Sequence, residues 1–119
     1  MPETRWFTID DARALLPEVQ KLAGEIIEVR ADLAETGLGD PPVALADRKA
    51  LEARLADLLD RMVDLGVQMK GWAPLLIDFP MRHGDRVVLL CWLEGESSLG
   101  WYHDAECGFA GRRPLDRLR

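Results

Sequence analysis

VVLLCWLEGESSLGWYHDAECGFAGRRPL, residues 87–115, is where the chain changes character. Its opening run, Val87 to Leu93, carries apolar side chains at odd and even positions alike. A strand with one wet face would alternate, so Arg86–Leu93 is read as a strand covered on both faces. Glu94–Ser98 supplies turn residues, and Leu99–His103 is the returning strand. The stretch also holds two of the four Trp, the only Tyr, both Cys and one of the two His. A chemical site, if the protein has one, is expected here.

Upstream of this stretch the same strand-like rhythm reaches back to Gly66. Val67 and Met69 alternate with polar neighbours, Leu75–Phe79 forms a further strand, and Arg82-His83-Gly84-Asp85 reads as a turn. Before Gly66 the period is helical. Thr8 is placed to cap a helix, with Asp11 at N3 and Phe7 at N′ able to staple onto Ala12. Ala12, Leu15, Val19, Leu22, Ile26, Val29 and Leu33 then alternate spacings of three and four, the a/d seam of a coiled coil. Pro17 interrupts it, predicting either a kink or a fresh helix start. Thr36–Pro42 is the one linker. In a second helix Leu51, Leu55, Leu58, Met62 and Leu65 repeat the seam, widened by Leu45, Leu59 and Val63. At about 1.5 Å per residue the helices measure roughly 40 and 35 Å, matched for an antiparallel hairpin. Asp57 and Arg61 are four apart on its solvated face.

The pieces Leu90-Cys91-Trp92, Gly95-Glu96, Trp101-Tyr102-His103-Asp104 and Gly108-Phe109-Ala110-Gly111-Arg112 together resemble the C-terminal signature of a prokaryotic family, the domain of unknown function 2203. The Phe7–Pro17 opening and Ile77-Asp78-Phe79-Pro80 are similar to that family too. The resemblance spans nearly the whole chain and implies no particular activity. Cys107 and His83 gain nothing from it.

The 119 residues fit one domain, 1–119, with a helical hairpin over 8–66 and a small sheet and Gly/Arg loop over 67–119. The fold class expected is α+β: a long antiparallel helical hairpin followed by a small, mainly antiparallel sheet of three or four strands. A formal charge of -6 argues against nucleic acid as a partner, the basic tail from Arg112 notwithstanding. No apolar run is long enough for a membrane span, and the N-terminus is unlike a signal peptide. Cys91 and Cys107 lack a paired-cysteine motif, so they read as reduced thiols of a cytoplasmic protein. The apolar stripe exceeds what so small a domain can cover, predicting a homodimer or higher homo-oligomer.

Glu96, Trp101, His103, Asp104 and Arg112 are expected to build one polar ligand pocket at the sheet end. Arg112 is expected to reach Glu96 or Asp104, with His103 alongside. Glu96 and His103 are the catalytic candidates, a carboxylate orienting an imidazole that titrates near neutrality. Cys91, His103, Asp104, Glu94 and Glu96 include every ligand type zinc uses. Pairing Leu93 with Leu99 puts Cys91 and His103 on one face, while a slip of one residue separates them. Buried between Leu and Trp, Cys91 is more plainly a small hydrophobe than a nucleophile. The Gly108–Arg112 loop offers backbone amides to an anion if its glycines take positive φ. No cofactor is predicted. The function expected is a self-associating binding or assembly module, and the alternative is a small enzyme using the same pocket, such as a metal-assisted hydrolase.

Overall fold

The computed structural model describes residues 3–36 and 45–118, so the linker from Gly37 to Pro42 lies outside the described residues. The chain folds as two helices, α1 (Ile9–Glu35) and α2 (Leu45–Asp64), followed by a sheet. Its strands are β1 (Gln68–Trp72), β2 (Leu75–His83), β3 (Arg86–Leu93), β4 (Trp101–Asp104) and β5 (Arg113–Pro114). The expected α+β class is observed. The sheet has five strands rather than three or four, because Arg113–Pro114 of the C-terminal loop pairs with Trp101 and Tyr102.

α1 begins where its capping residues say it should. Thr8 Oγ1 accepts from the Asp11 amide at 3.0 Å and the Asp11 carboxylate accepts from the Thr8 amide at 3.3 Å, a reciprocal capping box. Pro17 sits inside one continuous helix, so no second helix starts there. Ala12, Leu16, Val19, Leu22, Ala23, Ile26 and Val29 are buried, while Leu15 and Leu33 at the seam's edge are half-buried. α2 runs antiparallel to α1, since Arg48 donates to Thr36 Oγ1 at 2.9 Å and Arg54 reaches Glu25 at 3.4 Å. Of its stripe, Leu58 and Met62 are buried. Leu45 and Val63 do not widen it: they are 69% and 58% exposed. At about 100° per residue both fall about 100° around the helix from Met62, out of reach of α1. The Asp57–Arg61 pair forms at 3.0 Å on the exposed face, as expected. Among the described residues no helix is long and apolar enough to cross a membrane.

The sheet is an antiparallel meander whose order follows the sequence. His83 pairs with Arg86 across a two-residue turn in which Gly84 takes φ 63°. A first turn residue with positive φ is what a tight hairpin between right-twisted strands asks of glycine. Registers place Ile77 opposite Trp92 and Phe79 opposite Leu90, which in turn faces Tyr102. That face carries the core shared with the helices. The opposite face presents Asp78, Cys91, Leu89 and His103, all buried without helix cover. What lies over them is the C-terminal loop.

Anchors at both ends help fix the helices to the sheet. At one end the Phe7 amide donates to the Pro80 carbonyl at 2.8 Å, and the Phe7 and Phe79 rings meet edge to face at 5.3 Å. At the other, Arg30 grips Glu94 through two bonds of 2.8 and 2.9 Å and donates to Trp72 O at 2.7 Å. Glu94 also accepts from the Leu75 amide at 2.9 Å.

Arg30 first, and then the Leu75 amide, hold the Glu94 carboxyl below its usual value of 4.5. A depressed carboxyl contributes stability that is complete above its unfolded value and is lost as pH falls through the folded one. The Glu94→Gln variant is therefore expected to be less stable than wild type by about 1 kcal/mol at neutral pH. That gap should close as denaturation is measured from pH 6 down to pH 3. A gap that stays constant over this range would show that the charge on Glu94 contributes nothing.

Candidate functional site

The register of β3 and β4 decides what can meet. Cys91 pairs with Trp101 and Leu89 with His103, the alignment that puts the Cys91 and His103 side chains on one face. Asp78, on β2, pairs with Cys91 and joins them. One donor atom from each of Asp78, Cys91 and His103 lies within 4.8 Å of the other two.

His103 is held by its second nitrogen. Nδ1 lies 2.7 Å from the Cys107 carbonyl and 3.0 Å from the Asp104 carbonyl. Carbonyls only accept, so Nδ1 carries the proton and Nε2 faces inward. There it stands 3.2 Å from Asp78 Oδ2. An imidazole lone pair and a carboxylate oxygen repel at that range, so a proton or another positive centre must sit between them. Lys70 approaches the same oxygen at 3.9 Å. The other oxygen, Asp78 Oδ1, is buried and accepts no hydrogen bond from the described residues.

The thiol of Cys91 completes the group. Burial first, then the adjacent Asp78 carboxylate, push it up to about 12, and the nearby Arg112 guanidinium only partly offsets them. At neutral pH it is a protonated thiol and no nucleophile by itself. These three residues form the floor of a pocket of about 320 Å³ between the sheet face and the loop. Exposed Lys70, Glu106 and Phe109 stand at its rim.

The residues expected to share one pocket are divided. Arg112 does meet Glu96, in a pair with side chains 12% and 23% exposed, and also donates to the Cys91 carbonyl at 3.2 Å. Its guanidinium lies 4.9 Å from the Trp101 ring centroid and 5.1 Å from that of Phe109. The basic tail is thereby pinned across the sheet. Asp104 takes no part, being paired with Arg86 at 2.5 Å on the opposite face, where that guanidinium holds its carboxyl below the usual range. Glu96 and His103 are not an acid–base pair. Glu96 accepts from the Leu93 amide at 2.7 Å and from Arg112, while His103 is taken by Asp78 and two carbonyls. Glu94 is committed to Arg30 and is no metal ligand.

The glycine loop does not form an anion nest. Gly108 has φ -81°, and Gly111 is not among the positive-φ glycines. Phe109–Gly111 is instead a single 3-10 turn, in which the Gly111 and Arg112 amides donate to the Gly108 and Phe109 carbonyls at 2.9 and 3.1 Å. Amides spent on the loop's own turn are not offered to a ligand.

Asp78 is the residue that the sequence reading missed as a functional one. The signal was present: a carboxylate inside the apolar run Leu75–Phe79, on a strand covered on both sides, has no cheap explanation as core. The family model described as "Uncharacterized conserved protein (DUF2203)" matches residues 5–115 of the chain. No curated protein and no solved structure matches it.

Proposed function

The chain belongs to the DUF2203 family, and from that premise we propose that it is a binding module that takes a small polar ligand into the pocket floored by Asp78, Cys91 and His103. The observation that supports this reading is the orphaned Asp78 Oδ1. A buried carboxylate oxygen left without a partner costs about 1–3 kcal/mol or more, a cost a ligand can remove by donating to it. The ligand class follows: small molecules with an amidinium, ammonium or other strong donor group. Backbone amide shifts during titration with benzamidine and simple amines test this. Shifts confined to His103, Cys107, Gly108 and Phe109, and abolished in Asp78→Asn, are expected. No shift at these residues with any of the series would overturn it.

Self-association belongs to the same reading. It is supported by Leu45 and Val63, exposed on one flank of α2 with half-buried Leu59 between them. Sedimentation at micromolar concentration is expected to give at least twice the 13.4 kDa chain mass, and the Val63→Glu variant is expected to return it to one chain. A single-chain mass for the unaltered protein removes self-association from the proposal.

A further inference from the structure

The geometry points to a divalent metal site, best suited to zinc, with Asp78, Cys91 and His103 as its three protein ligands and the fourth coordination position facing the pocket. The inference rests on reading that pocket as a site for a cationic or donor group at Asp78, and it names a metal ion, in place of an organic cation, as the group that takes that carboxylate.

Four observations carry it. The three side chains are buried together and offer one oxygen, one sulfur and one nitrogen within 4.8 Å of one another. Ligand atoms around a tetrahedral zinc lie roughly 3.3–3.8 Å apart, given bonds of about 2.0–2.3 Å, so small side-chain rotations close the site. His103 is already oriented as a ligand. Its Nδ1–H is engaged by backbone carbonyls, the arrangement that fixes the ring and turns Nε2 toward a metal. The gap between Nε2 and Asp78 Oδ2 holds either a proton or a metal ion, and at 3.2 Å the two atoms already stand near the spacing of neighbouring ligands on one zinc. Finally, Asp78 Oδ1 is buried and unpartnered, so the carboxylate has a free oxygen for bidentate binding or for a bound water.

The donor set also chooses the metal. One thiolate, one imidazole and one carboxylate make a mixed soft and hard site, which suits zinc and disfavours magnesium and calcium with their oxygen shells. Three protein ligands with an open position is the pattern of a reactive zinc rather than a structural one. A water or a carbonyl oxygen from the pocket would take the fourth place and be polarised there. Lys70 competes for Asp78, but its side chain is 47% exposed and free to swing into solvent. Cys91 must give up its thiol proton to bind, a loss that burial and Asp78 oppose, that the Arg112 charge only partly favours, and that the metal itself has to drive.

The test uses the full chain after treatment with a chelator, titrated with Co(II) as a spectroscopic stand-in and with Zn(II) against a chromophoric chelator. One equivalent per chain is expected, with the intense visible bands of tetrahedral Co(II) and a near-ultraviolet thiolate charge-transfer band. The charge-transfer band should vanish in Cys91→Ser and persist in Cys107→Ser. His103→Gln and Asp78→Asn should each lower zinc affinity by more than roughly 100-fold, because even outer-shell substitutions cost 10- to 100-fold. A weak octahedral spectrum in the unaltered protein, or a charge-transfer band surviving in Cys91→Ser, overturns the site whether or not the variants fold. Amide shifts with benzamidine, measured on the metal-free protein, separate the two proposals. Shifts without metal binding leave the pocket standing and remove the zinc.

Discussion

Replacing Phe79 by alanine is expected to lower the unfolding free energy by about 3–5 kcal/mol and the melting midpoint by roughly 10–20 °C. Phe79 is fully buried in the shared core, and its ring and that of Phe7 meet edge to face at an interplanar angle of 86°. Removing it leaves a cavity between sheet and helices and also loosens the N-terminal segment, which among the described residues is tied to the sheet backbone by the bond from Phe7 to Pro80. The Phe7→Ala and Phe79→Ala effects should therefore be non-additive, with a coupling of about 0.5–1.5 kcal/mol from the aromatic pair. Chemical denaturation of both single variants and the double variant measures it. Strict additivity would mean that the two rings stabilise the fold independently.

The second large effect is asymmetric. Glu96→Ala is expected to cost about 2–3 kcal/mol, somewhat under the figure for fully buried pairs, because water reaches the edge of this one. It strips the Arg112 guanidinium of its counter-charge while that group stays pinned between Trp101 and Phe109. It also frees the Leu93 amide that the carboxylate had capped. Arg112→Met should cost about 1 kcal/mol or less, since a flexible apolar chain keeps the contact with both rings. Glu96 then retains the Leu93 amide and some solvent. Urea midpoints for the two variants decide it, and the reverse ranking would falsify this account of the pair.

What the sequence made legible was local or periodic. The Thr8–Asp11 box depends on four consecutive residues, and the α1 seam repeats often enough to survive Pro17. The partner of Arg112 was legible because a guanidinium in an apolar loop needs a carboxylate and few are near. The partner of His103 was not, for a physical reason. Glu96 folds back onto an amide three residues earlier in its own turn, a satisfied local bond that leaves it nothing to give the imidazole. Asp78 comes from a strand 25 positions away from His103 and is brought there only by two registers acting together. The Gly108–Arg112 loop was misjudged because glycine permits a positive φ without requiring it. Leu45 and Val63 were misjudged because apolar identity does not by itself say which way round a helix faces.

Because the strands lie in the sheet in the order they occur in the chain, each pairing is made between near neighbours in sequence. Closing such short loops costs little chain entropy, and low contact order goes with fast folding. The contacts that span long separations join α1 and its N-terminal segment to the sheet, among them Phe7 onto Phe79 and Pro80, Gln20 onto the Glu96 and Ser97 carbonyls, and Arg30 onto Glu94. The hairpin of helices and the meander each draw on contacts close in sequence, so they are expected to form before one docks on the other and the Phe7 clasp closes. On that view Phe7→Ala should slow refolding little and speed unfolding markedly, as expected of a clasp that shuts after the crossing is over.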